Sequence, residues 1–280
     1  MIFEHEIPDG SRLYFGKLAK LKRELEAKAS EFFIQNDFEE ILTPNFSYSG
    51  HQSIDDLKKL ITLNDPSNNT LALRADSTLD VVRIITKRLG RATLHKKWFY
   101  IQPVFLYPST EIYQIGAEWI GHDSISDIIN LNCKLLEILD TKYLVQIANI
   151  NIPLIISKEY DIDIELFKNN EIDALCELNL PWLDKLIYAT SLEDLQNLVD
   201  IVPQCIKDEI VKLIDIVSNL NSSSVTISPL YYSAMKYYND IYYRVINDNL
   251  TLAKGGGYTS DGIDSLGFAL YTDNILKLAQ

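Results

Sequence analysis

Glu111-Ile-Tyr-Gln-Ile-Gly-Ala-Glu-Trp-Ile-Gly121 alternates as a β-strand does. Successive side chains on a strand point to opposite faces, so Ile112, Gln114, Gly116, Glu118 and Ile120 share one face, and Tyr113, Ile115, Ala117 and Trp119 the other. Gln114 and Glu118 lie roughly 13 Å apart by strand rise, with a hydrogen-only side chain between them at Gly116. This polar–Gly–polar face leaves room for a small ligand bearing an amine or hydroxyl. The same alternation also fits a strand with one face in water.

Working outward, Trp98 to Tyr107 reads as a strand joined to this one by the tight Tyr107-Pro-Ser-Thr-Glu111 connection. Further upstream, Leu71-Ala-Leu-Arg-Ala-Asp-Ser-Thr78 ends a strand and opens a helix. Thr70, Ala72, Arg74 and Asp76 share its one face, Ser77 with Asp80 is an N-cap pattern, and the helix runs through Val81, Val82, Ile84, Ile85 and Leu89 to Gly90. Arg74 and Asp76 at a helix start suit an anionic ligand, or pair with each other at the surface. Lys87, Arg88, Arg91, Lys96 and Lys97 form the one basic cluster, a phosphate or acidic-partner contact or a solvated helix end.

Toward the N-terminus, Pro8-Asp9-Gly10-Ser11 is a turn before a helix carrying Leu18, Leu21, Leu25 and Phe32 at helical spacing and stopping near Asn36-Asp37. Phe38-Glu-Glu-Ile-Leu-Thr-Pro44 is a short strand that its proline suits to an edge or interface. Residues 47–70 are turn-rich, with one short helix around Ile54–Leu60. Toward the C-terminus come a helix at Asp127–Leu139 and a strand at Tyr143–Ile150. A mainly helical stretch, 151–222, follows, with a stripe of Val211, Leu213, Ile214 and Val217. Asp161, Asp163 and Glu165 lack calcium-loop spacing and read as solvated. Strands return at Val225–Ser228, Asp240–Ile246, Leu250–Lys254 and Ser265–Tyr271. Gly255-Gly-Gly-Tyr258 permits close backbone approach without the ending of a phosphate loop. A last short helix is capped by Asp273 or Asn274.

The chain has 280 residues, 47% of them apolar, enough for a substantial core. A net charge of −13 argues against general nucleic-acid binding. No apolar run reaches the ~20 residues of a membrane span, and no signal peptide opens the chain. The three cysteines, Cys133, Cys176 and Cys205, are scattered, and the four histidines show no metal-ligand spacing. The expectation is a soluble, acidic, cytoplasmic protein with no metal and no cofactor.

In order along the chain, five stretches resemble the catalytic core of the class II histidyl-tRNA synthetases. Phe38–Pro44 is similar to the first motif, which builds the family's dimer interface. Leu73-Arg-Ala-Asp-Ser-Thr78 is similar to its Leu-Arg-Pro-Glu-Gly-Thr segment. Tyr100-Ile-Gln-Pro-Val-Phe105 with Gln114-Ile-Gly-Ala-Glu118 resembles the second motif and the strand after it. Gly255-Gly-Gly-Tyr258 and Gly267-Phe-Ala-Leu270 resemble the last signatures. The resemblance implies an α+β fold: an antiparallel sheet flanked by helices, with residues 1–150 and 223–280 as the synthetase-like core, 151–222 as a helical insertion, and no anticodon-binding domain. It implies a histidine pocket in which Asp76, Thr78, Gln114 and Glu118 hold the amino group, beside Tyr231 and Tyr232.

The family's chemical positions are changed. The second motif's ATP-gripping arginine is Leu106, the arginine and aspartate of the Arg-Gly-Leu-Asp-Tyr-Tyr stretch fall at Ile227 and Leu230, and the third motif's arginine at Asn274. Each such contact is worth ~3 kcal/mol to a charged transition state. The 107–111 loop is also short for ATP and a tRNA end. These departures resemble a non-catalytic branch of the family, the regulatory subunits of ATP phosphoribosyltransferase. That likeness implies no catalytic residues of its own, a dimer through the Phe38–Pro44 region, and a hetero-oligomer with the catalytic subunit that supports histidine biosynthesis and its feedback control by histidine. The alternatives are a small amino-acid-activating ligase with a rearranged ATP site, and a synthetase-like interaction module binding another enzyme or a tRNA. The acidic balance weighs against tRNA, and the Lys87–Lys97 cluster leaves it open.

Overall fold

The computed structural model describes residues 6–52, 56–90, 92–232, 238–260 and 262–279. Helix α1 (Gly16–Gln35) turns Leu25, Ala29, Phe32 and Phe33 inward. It leads to β1 (Glu39–Glu40), only two residues long and parallel to β5 at the sheet edge. The expected strand over Phe38–Pro44 is therefore mostly extended coil, its proline leaving little ladder to form. Next come β2 (Phe46–Tyr48), β3 (Thr62–Asn64) and β4 (Thr70–Leu73), a small separate sheet ordered β2-β4-β3. Helix α2 (Thr78–Arg83) runs on through a wider turn, Ile84–Leu89.

The main sheet then builds from β5 (Lys97–Leu106) and β6 (Thr110–Ile120), followed by α3 (Ile125–Ile138) and β7 (Leu144–Asn149). Six helices occupy the next stretch: α4 (Asn151–Tyr160), α5 (Ile164–Lys168), α6 (Ile172–Cys176), α7 (Pro181–Ile187), α8 (Leu192–Leu198) and α9 (Gln204–Ser218). The chain closes with β8 (Val225–Ile227), β9 (Tyr238–Asn247), β10 (Leu250–Ser260), β11 (Ile263–Tyr271) and α10 (Thr272–Leu278). The order is β1-β5-β6-β11-β10-β9-β7-β8, antiparallel through β5 to β7, with parallel partners β1 and β8 at the two edges.

One face of this sheet is the core. Phe99, Ile115, Ala117, Phe268, Tyr243 and Ile147 lie under α1, α3 and α9, and Phe33 stacks on Phe99 at 5.0 Å. Removing such a buried ring costs ~3–5 kcal/mol. On α9 the buried stripe is Ile206, Ile210, Leu213 and Ile216, whereas Val211 is exposed. The expected stripe was right at Leu213 and misplaced at Val211, because the 3.6-residue period carries position 211 off the face that 210 and 213 share. Asp163 caps α5 through the Glu165 N–H, and Asp161, Asp163 and Glu165 are all exposed, as their spacing suggested.

The opposite face carries Trp98, Tyr100, Gln102, Gln114, Gly116 and Glu118. One end is covered by Val81, Val82 and Ile85 of α2, packed on Trp98, Ile120 and Tyr258. The rest is the face on which the candidate site lies.

Candidate functional site

Backbone pairing places the site residues. Gln114, Gly116 and Glu118 on β6 face Gln102, Tyr100 and Trp98 on β5, and Tyr271, Ala269 and Gly267 on β11. The space that Gly116 opens is taken by this chain itself. A Cβ on Gly116 would stand 2.2–2.7 Å from the Tyr100 ring, so the glycine accommodates that tyrosine rather than a ligand directly above it. Gly267 does the same for Glu118, whose Oε2 lies 1.8 Å from where a Cβ would be. Gly255 and Gly256 lie within β10 and receive the Tyr243 and Tyr238 rings on its two faces, so they too admit aromatic side chains.

Glu118 is wholly buried. Its Oε2 accepts the Tyr258 hydroxyl, while its other oxygen, Oε1, has no hydrogen-bond partner among the described residues. The Thr78 and Tyr100 hydroxyls face the carboxyl without bonding Oε1 in normal geometry, and bond each other at 3.4 Å. Burial pushes the Glu118 carboxyl up from 4.5 to about 8, against the Tyr258 hydrogen bond that lowers it and with the negative Asp76 nearby that raises it. A buried, orphaned carboxylate oxygen is costly unless something donates to it. The group is therefore suited to an ammonium or another strong donor.

Asp76, expected to face a ligand, also accepts the Leu79 N–H at 3.2 Å and so opens α2. Ser77, expected to cap that helix, makes no capping bond. Its Oγ accepts from Gln102 Nε2 at 3.2 Å, and Asp80 instead binds Arg83 and Gln52. Arg74 corrects the sequence reading further. It is 1% exposed and makes no ion pair among the described residues. Its guanidinium donates to the carbonyls of Thr43 (2.8 Å), Pro44 (3.2 Å) and Pro103 (2.6 Å) and to Asn45 Oδ1 (3.1 Å). Gln102 completes this network through Thr43, tying the 43–45 segment to β5.

Asp76 and Thr78 thus come beside Glu118, whereas Gln114 lies four residues along the same face of β6, opposite Gln102 and Tyr271. Tyr231 and Tyr232 lie elsewhere on it. Tyr231 stacks on Tyr242 at 5.9 Å and carries Arg244 over its ring at 4.6 Å, and Tyr232 has Lys168 Nζ 6.0 Å from its ring. Tyr242, Gly256, Gly267 and Glu118 form one row across four strands, so about 14 Å of sheet separates the two groups.

Sequence reasoning missed Tyr100 and Tyr258 as wall residues, although Tyr258 follows the glycines it quoted. The basic cluster is divided. Lys97 is held over Trp119 (4.6 Å) and against the Asn36 carbonyl (3.3 Å), Lys87 and Arg88 border a groove with Phe46 and Tyr48, and Arg91 lies outside the described residues. Asp273 accepts the Tyr14 hydroxyl, and Asn274 donates to the Thr251 carbonyl at 2.7 Å, so neither caps α10. Among the described residues there is no metal-binding cluster and no helix long and apolar enough to cross a membrane.

Sheet, helices and this face together define a class II histidyl-tRNA synthetase-like core. The sequence model of the histidyl-tRNA synthetase family matches residues 16–275. Proteins named ATP phosphoribosyltransferase regulatory subunit in Wolinella succinogenes and Helicobacter hepaticus are 41% and 39% identical over 99% of this chain, the matches covering 96% and 99% of those proteins. The chain belongs to this regulatory-subunit family, a branch of the histidyl-tRNA synthetase family. A Bacillus halodurans structure described as an ATP phosphoribosyltransferase regulatory subunit/histidyl-tRNA synthetase shares the fold, with a TM-score of 0.87 at 19% identity over 100% of this chain and 84% of that one. A histidine–tRNA ligase subunit from Alicyclobacillus acidocaldarius shares it with a TM-score of 0.80 at 17% identity, over 100% and 98% of the two chains.

Proposed function

We propose that this chain is a non-catalytic, cytoplasmic regulatory subunit that assembles with the catalytic subunit of ATP phosphoribosyltransferase and supports the first step of histidine biosynthesis and its feedback control. The near full-length 41% identity to a protein of that name carries the reading. The groups at the changed positions support it. Leu106 packs against Leu60, Ala72 and Ala75, Ile227 and Leu230 are buried, and Asn274 holds a backbone carbonyl. None of these side chains can supply the planar cation that a transferring phosphoryl group needs.

In this reading residues 1–150 and 223–280 form the synthetase-like core, with 151–222 as its insertion. Dimerisation runs through the region around Phe38–Pro44, where Leu42, Phe46 and Tyr48 are 70%, 53% and 53% exposed. Histidine is the ligand of the Asp76–Thr78–Gln114–Glu118 end, with its ammonium on the orphaned Glu118 oxygen. Regulation follows if histidine binds two arrangements of the complex with different affinity. Co-purification of the tagged chain from its native host tests the assembly: the catalytic subunit should be recovered in stoichiometric amount. Amino-acid-dependent exchange of pyrophosphate into ATP by the chain would establish the ligase alternative instead.

A further inference from the structure

Arg244 on β9 and Lys254 on β10 are direct cross-strand neighbours, and neither makes an ion pair among the described residues. The chain has a net charge of −13, yet these two cations lie side by side, an unfavourable arrangement on a sheet. Burial, with the Arg244 charge beside it, lowers the pKa of Lys254. The Arg244 guanidinium is nonetheless fixed in place. Its Nε donates to Gln146 Oε1, and Gln146 Nε2 donates in turn to Ser228 Oγ at 2.5 Å. The Tyr231 ring lies 4.6 Å from its central carbon. One of the five guanidinium N–H donors is thereby used, and those on the two Nη atoms have no acceptor among the described residues.

These residues form the sheet side of a cavity of about 450 Å³, a volume in the range of small-molecule sites. The opposite wall comes from the 151–222 stretch and includes Phe167 of α5 and Leu175 of α6, both buried. Asn170 and Ile172 at its rim are exposed, so a ligand can enter from solvent. No acidic side chain lines the cavity. One side is therefore apolar, and the other offers a planar cation braced by a ring and a neutral amide. Such a guanidinium fits a carboxylate through two parallel hydrogen bonds. Lys254 does not line the cavity, so one cation alone faces it. A single buried cation suits a monoanion better than a phosphate dianion, whose second charge would be desolvated without a partner.

We propose that this cavity is a second ligand site, separate from the Glu118 end, for a small monocarboxylate with an apolar body. The carboxylate sits on the Arg244 guanidinium and the body against Phe167 and Leu175. A bound ligand thereby joins β9 to the helices of the 151–222 stretch. The site does not depend on which ligand the Glu118 end takes.

Ligand-observed NMR of the full chain with matched pairs of probes tests this: benzoate and benzamide, 3-phenylpropionate and 3-phenylpropionamide, 4-methylpentanoate and 4-methylpentanamide. Within a pair the shape is nearly constant and the charge differs. At least one acid should bind about ten times more tightly than its amide or better, in line with charge-assisted hydrogen bonds. Arg244→Gln should abolish that preference, and Arg244→Lys, which keeps the charge but not the planar fork, should restore only part of it. The wild-type comparison holds whether or not Arg244→Gln folds. If no acid binds, if acids and amides bind alike, or if the preference survives in Arg244→Gln, the site is overturned. Inorganic phosphate that displaces the acid at equal concentration would show a general anion site and overturn the ligand class.

Discussion

The Glu118 carboxylate lies directly over Gly267 of the neighbouring strand, occupying the volume a side chain at 267 would need. A methyl there would also meet Glu118 Cδ at 2.7 Å and the Ala117 carbonyl at 2.8 Å. Gly267→Ala is therefore expected to destabilise the fold by about 1–3 kcal/mol. In a urea-unfolding double-mutant cycle with Glu118→Ala, the pair should couple, because removing the carboxylate relieves most of the clash. Simple additivity would show that the two residues do not compete for this space.

Stability should depend on pH through Glu118. Its carboxyl titrates near 8 in the folded chain against an ordinary 4.5, so between those pH values the folded state holds a proton the unfolded state has lost. The group's stabilising contribution is complete below the unfolded value and declines as pH rises to about 8. Glu118→Gln, neutral throughout, should gain on the wild type across this window, on the order of a few kcal/mol at the upper end. Denaturation midpoints from pH 4 to 9 check this, and parallel curves for the two proteins would contradict it.

Ligand binding reads the same group. An ammonium on Oε1 requires ionised Glu118, so near neutral pH histidine should displace the proton. Titrations in buffers of different ionisation heat should show proton release by the wild type that Glu118→Gln lacks. Glu118→Ala should weaken histidine binding by about 1.5–3 kcal/mol, the worth of a charged hydrogen bond. Equal proton release by wild type and variant would place the ammonium elsewhere.

Arg74 holds three backbone carbonyls and is out of reach of solvent. Arg74→Lys retains the charge but cannot span them, and about 2–4 kcal/mol of stability should be lost as buried acceptors go unpaired. Since those carbonyls include Thr43 and Pro44, the substitution should also weaken self-association measured by sedimentation. A dimer as tight as the wild type's, with a lowered melting temperature, would detach that segment from the interface.

Much of the architecture could be read from periodicity. The long strands around Gly116 and the helix at 16–35 have patterns that burial enforces at every turn or alternate residue. β2 and β3 escaped notice because they are short and mostly exposed, so pairing with β4 rather than alternation defines them. The cap at Ser77 failed because its hydroxyl found a partner distant in sequence, Gln102. The acidic end of the candidate site came from the resemblance of its motifs to those of the synthetase family. Its tyrosine walls did not, since only the folded register brings Tyr100 over Gly116 and Tyr258 to the Glu118 carboxyl.

Reconstitution is the most direct measurement of the central claim. The chain, the catalytic ATP phosphoribosyltransferase subunit from the same host, and the two mixed should each be assayed for phosphoribosyl transfer to ATP. The account predicts no turnover by this chain, little by the catalytic subunit alone, and a large, saturable rise in the mixture that histidine suppresses. A catalytic subunit fully active alone and indifferent to added chain would contradict it.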